Sequence, residues 1–171
     1  MSTRPTLLNG CAQAATASEA KFRIDAEVDL RRVTRIIALD GPASELVAAV
    51  AQGDWAGAHF LLVDPETAQV PSDDLGADLV LRDADGHTTH LSEELADADS
   101  VVLVATSASA PSAVQAIGES CRLRGIMTAG VVFGESARVR EAVSLLRPFA
   151  RVLLVSRDED DVAEVLTALR A

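Results

Sequence analysis

Val101, Val102, Leu103, Val104 and Ala105 form an apolar run with no polar interruption. A strand with one face in water alternates apolar and polar residues, whereas an unbroken run is expected of a strand buried on both faces of a parallel sheet. The run opens into Thr106, Ser107 and Ser109, and Pro111 then starts a helix. In an open α/β sheet, ligands bind in the crevice beyond the carboxyl ends of the strands. The loop after Ala105 is therefore the first place to look for a small-molecule site.

The same grammar repeats along the chain. VTRIIALDG reads as a strand ending at Asp40 and Gly41, with Ser44 expected to cap a helix through Val50 that Gly53 closes. HFLLVDP is a second strand, and DLVLRDADGHTTHLS reads as a small hairpin turning at Asp85-Gly86. Ser92 is expected to cap the short helix that leads into the central strand. Pro111–Arg124 is a helix ended by Gly125, IMTAGVVFG a strand, and SARVREAVSLLR a helix with Val139, Ala142, Val143 and Leu146 on one face. RVLLVS and RDEDDVAEVLTALR are the last strand and helix. Alternating strands and helices with fully apolar strands predict a parallel sheet covered on both sides through right-handed crossovers. The expectation is a single three-layer, Rossmann-like α/β domain over residues 21–171, with about five parallel strands.

Residues 1–20, rich in Ala, Ser and Thr, are expected to form a loose arm. The next stretch differs from every later strand. Phe22, Ile24, Ala26, Val28 and Leu30 alternate with Lys21, Arg23, Asp25, Glu27, Asp29 and Arg31, the period of a half-exposed strand. An edge strand of the chain's own sheet is the first expectation, and a homodimer or protein contact through residues 22–30 is the second.

Hydrophobic residues make up 49% of the 171 but aromatics only 3%, so the core is built from Ala, Val, Leu and Ile. No aromatic platform for nucleic acid can come from that mix. Of the formal net charge of −11, residues 41–100 hold most, with thirteen acids against a single base, Arg82. An acidic surface of this kind repels phosphate backbones and anionic lipid, so neither nucleic acid nor a membrane is an expected partner. Two cysteines, Cys11 and Cys121, provide no disulfide framework, and Cys121 falls on the apolar face of its helix with Val114 and Ile117. With no apolar segment of spanning length and no signal-peptide h-region, a cytoplasmic location is expected.

Gly125-Ile126-Met127-Thr128-Ala129-Gly130-Val131-Val132 is close to the G-I-L-T-V-G-V-V strand of the bacterial tubulin-like cell-division GTPases, the FtsZ family. The Arg-rich helix Arg138–Leu146 and the strand Val152–Val155 follow in that family's order. From Asp99 onward the chain resembles the nucleotide-binding half of those proteins, and the resemblance implies a Rossmann-like fold with a nucleotide at the strand ends. The family's glycine-rich phosphate loop is replaced here by Thr106-Ser107-Ala108-Ser109-Ala110-Pro111-Ser112. Glycines let backbone amides close on phosphate, and a Cβ at each position obstructs that approach. GTP hydrolysis does not carry over.

The candidate ligand-binding residues are Gly41, Ser44, Asp64, Thr106, Ser107, Ser109 and Glu135. Hydroxyls at Thr106, Ser107 and Ser109, together with a helix N-terminus, could hold a small anion. Asp64 stands where dinucleotide folds place a ribose-binding acid, although Gly41 is followed by Pro42 and no G-x-G-x-x-G precedes it. Glu135 ends a strand and could project into the crevice. His87 and His90, with Asp83 and Asp85, fit a solvated hairpin better than a metal site. No nucleophile elbow, phosphate loop or zinc spacing is present in the sequence. Three readings follow. The first is a non-catalytic nucleotide- or metabolite-binding domain with a sensor or regulatory role, its cofactor unspecified. The second is an accessory or scaffolding protein that acts through protein contacts. The third is a small-substrate enzyme using Asp40, Asp64 and Glu135 as acid–base groups.

Overall fold

A computed structural model describes residues 32–65, 78–134, 137–157 and 160–169. It shows the expected α/β architecture. Strands β1 (Thr34–Ala38), β2 (Ala58–Val63), β3 (Val80–Asp83), β4 (Thr88–His90), β5 (Ser100–Ala105), β6 (Met127–Phe133) and β7 (Val152–Ser156) form one sheet, in the order β4-β3-β2-β1-β5-β6-β7. β1, β2, β5, β6 and β7 run parallel, and the β3–β4 hairpin continues the sheet antiparallel beyond β2. Helices α1 (Gly41–Val50), α2 (Leu91–Glu94), α3 (Pro111–Arg124), α4 (Ala137–Leu146) and α5 (Asp160–Leu169) complete the described elements.

The period of two along each strand sends alternate side chains to opposite faces. Ile36, Ala38, Phe60, Val102, Val104, Val131 and Phe133 pack with Val47 of α1 and with Val162 and Leu166 of α5. Ile37, Leu61, Val101, Leu103 and Val132 pack with Val114 and Ile117 of α3 and Leu146 of α4 on the other face. Both faces of β1 and β5 are thus covered, which is why every residue of these two strands is buried. Cys121 is fully buried in this second layer, as its helical position predicts.

Local details depart from the sequence expectations. α1 is capped by Asp40 rather than Ser44: the Asp40 carboxylate accepts from the Ala43 amide at 2.9 Å, and Pro42 occupies the first turn. Ser44 lies inside the helix and donates its hydroxyl to the Gly41 carbonyl. α3 begins after Ala110, with no side-chain cap, so Ser109 does not cap it. His90, not Ser92, is the N-cap position of α2. Gly125 ends α3 in the left-handed conformation (φ 71°), as expected. The alternating segment 22–30 and Glu135 lie outside the described residues.

Candidate functional site

Among the parallel strands, β2 lies on one side of β1 and β5, the next parallel strand in the chain, on the other. The connections therefore diverge between β1 and β5, and the crevice at their carboxyl ends is the topological switch point of this sheet. Two segments meet there: Asp40 with the first turn of α1, and the loop Thr106–Ala110, which enters α3.

Asp40 holds them together. Its Oδ2 accepts from the backbone amides of Thr106 (2.9 Å) and Ser107 (3.0 Å) and from the Ser107 hydroxyl at 3.2 Å. Its Oδ1 accepts from the Thr106 hydroxyl at 2.9 Å and from the Ala43 amide. Three amides and two hydroxyls converge on one half-buried carboxylate. Convergent amides at a helix entry are the chemistry that binds an anion, and here the anion is a side chain of the same chain. β1 and β5 pair in register from Thr34↔Ser100 to Ala38↔Val104, which brings Asp40 level with the Thr106 loop.

The remaining candidates divide. Gly41 sits beside the cradle, and a Cβ there would meet no protein atom within 4 Å. Ser109 is exposed at the mouth of the crevice, next to the uncapped start of α3. Asp64 is 5% exposed, and its Oδ2 accepts from Arg82, with Nε and Nη2 both at 2.6 Å. Register places Arg82 beside Leu62 on the neighbouring strand, so the one base between residues 41 and 100 partners the buried acid there. A cleft of about 190 Å³ runs beside this pair, lined by Ser44, Val47, Phe60, Leu62 and Arg82 among others. Ligand pockets for drug-sized molecules begin at about 300 Å³.

Two further polar groups of residues stand apart from the crevice. At the amino end of the sheet Glu94 is 7% exposed and lies 2.8 Å from both Arg35 Nε and His59 Nδ1, while its other oxygen accepts from Thr89. Arg35 Nη2 donates to Asp97 at 2.6 Å, whereas Arg35 Nε makes a charge contact without an aligned hydrogen bond among the described residues. The buried Arg35–Glu94 ion pair, flanked by the more exposed His59 and Asp97, pins α2 against β1 and β2. Sequence reasoning passed over it, and the one signal is a charged Arg35 inside an apolar strand. In the β3–β4 turn, Asp83, Asp85 and His87 come close enough to hold an ion. Asp83 instead accepts from the amides of Asp85 and His87. Burial, which raises the Asp83 carboxyl, is outweighed by hydrogen bonds and charge from His87 and the Asp85 amide, leaving it below the usual carboxylate range.

The fold and crevice define a doubly wound, Rossmann-like α/β domain whose switch point is bridged by its own aspartate. Compared with protein-family models and with curated proteins, the chain matches none. Among the described residues no helix is long and apolar enough to cross a membrane.

Proposed function

We propose that this chain is a non-catalytic accessory or scaffolding domain that works through protein contacts. The observation that carries this reading is the Asp40 carboxylate, which takes up the Thr106 and Ser107 donors at the switch point. A phosphate entering there must displace a carboxylate that already satisfies those donors, and it meets like charge while doing so. Of the acid–base groups that an enzyme would need, Asp40 is engaged in the cradle and Asp64 with Arg82.

One observation favours the ligand-binding reading as the second. α3 is 14 residues long, has no side-chain cap, and starts beside the exposed Ser109. A small anionic or nucleotide ligand could use that end of the crevice without entering the Asp40 cradle.

A thermal-shift panel of GTP, GDP, ATP, NAD and inorganic phosphate separates the two. A ligand at one hundred times its Kd stabilises by about 2.7 kcal/mol, roughly 5–10 °C for a domain of this size. The scaffold reading expects no shift from any member. A shift abolished by Ser109→Glu supports the ligand reading instead.

A further inference from the structure

We propose that the outer edge of β7, along Val152–Val155, receives residues 22–30 of a second copy of this chain as an added strand, in a reciprocal exchange of arms. This rests on the interaction reading above and names its surface and its partner.

β7 is an edge strand without the usual defences. Edge strands are ordinarily kept from pairing by charges, proline, bulges or shortness. Val152-Leu153-Leu154-Val155-Ser156 has no charged residue and no proline, and it pairs with β6 through five consecutive residues without a bulge. Val152 is 60% and Val155 50% exposed, two of the large apolar residues left in solvent. The opposite edge, β4, is three polar residues long and protected on that account. Beside β7 runs a groove of about 410 Å³, with Val139, Val143 and Val155 as its apolar lining and Arg140, Ser144 and Arg147 as its polar lining.

The occupant must therefore offer extended backbone, alternating apolar side chains and negative charge. Residues 22–30 combine all three: Phe22, Ile24, Ala26, Val28 and Leu30 alternate with Arg23, Asp25, Glu27 and Asp29. Strand addition of this kind takes its affinity from main-chain hydrogen bonds and its specificity from alternate side chains. Pairing β7 with another β7 fits less well. Residues 137–157 contain five arginines and one glutamate, so two such edges bring like charge together.

Reach decides that the donor is another copy. Val33 is tied to the amino end of β1 through Asp99, whose carboxylate accepts from the Val33 amide. A strand added outside β7 lies four strand spacings from β1, about 19 Å at 4.8 Å each. The three peptide steps from Leu30 to Val33 span at most about 11 Å. A strand added outside β4 is equally distant, so the full segment cannot lie on either edge of its own sheet.

The test uses the 171-residue chain. Size-exclusion with light scattering at tens of micromolar is expected to give twice the 17.9 kDa chain mass. Val155→Asp and Ile24→Asp are each expected to halve it without changing the circular dichroism, since Val155 is exposed. On a Cys11→Ser background, chains carrying Ile24→Cys mixed with chains carrying Val155→Cys are expected to form the mixed disulfide dimer. A wild-type monomer overturns the proposal, as does a Val155→Asp dimer. Efficient self-linking of Val155→Cys alone assigns the edge to β7 of the partner, and a monomeric ring in a chain carrying both cysteines assigns it to the chain's own arm; either overturns it. None of these outcomes depends on the ligand panel, so the two claims fail separately.

Discussion

Removing the Asp40 carboxylate leaves five donors without their acceptor. Ala43, Thr106 and Ser107 lose amide partners, and two hydroxyls lose theirs. Hydrogen bonds to a charged group contribute about 1.5–3 kcal/mol each where water is excluded, but Asp40 is half-buried and water can replace part of the loss. Asp40→Ala is therefore expected to cost about 2–3 kcal/mol in urea denaturation, a helix cap included. Asp40→Asn keeps the cap and is expected to cost about half as much; equal losses would show that the cap geometry is unimportant. The sequence already held part of this information. Asp40-Gly41-Pro42 is a cap followed by a first-turn proline, which points to Asp40 ahead of Ser44. What it could not show is that Thr106, 66 residues away, donates to the same carboxylate. Cys121 yields a second expectation at this scale. Burial raises its thiol, against smaller opposing effects from Thr128 and Arg124. A folded pKa above the unfolded one means stability intact below the ordinary thiol value and lost as pH rises past it. Cys121 is expected to resist thiol reagents at pH 8 in native buffer and react fully in denaturant; fast native labelling would contradict this.

At the level of elements, the sequence was readable wherever strands are buried on both faces, because an apolar run of five or six residues leaves few alternatives. β5 and β6 are of this kind, and β1 carries the shorter run Ile36–Leu39 after Thr34 and Arg35. The β3–β4 hairpin was legible from Asp85-Gly86, but its pairing to β2 was not, since nothing local tells a free hairpin from a sheet extension. Gly86 has φ 83° at the turn, as that dipeptide requires. Packing between α3 and the turn before β7 depends on an absent side chain: a Cβ at Gly118 would lie 2.3 Å from two ring carbons of Phe149 and 2.8 Å from its Cβ. Helix propensity favours alanine over glycine by about 1 kcal/mol, whereas overpacking costs about 1–3 kcal/mol. At so short a distance the steric effect dominates, and Gly118→Ala is expected to lower stability by about 1–2 kcal/mol. A stabilised variant would mean that Phe149 moves freely.

For the whole molecule, charge is divided along the sheet. The described residues 41–65 and 78–99, which form α1, α2 and the β2–β3–β4 side, carry ten acids and one base; residues 137–157, which form α4 and β7, carry five arginines and one acid. This asymmetry is visible in the sequence, but its meaning depends on the strand order that sets the two regions at opposite ends of one sheet. Likewise, the strand-end crevice was expected from alternation alone, and its occupation by an internal carboxylate emerges only when β1 and β5 are placed side by side. Asp40, not a bound phosphate, satisfies the Thr106 and Ser107 amides. The most direct measurement is the position of those two amide resonances in an ¹⁵N-labelled sample of the 171-residue chain titrated with inorganic phosphate and then with GTP. Both are expected to stay in place while free ligand reaches millimolar concentration, with Asp40→Ala shifting them in the absence of any ligand. Saturable movement of the Thr106 and Ser107 resonances in the wild-type chain would contradict it.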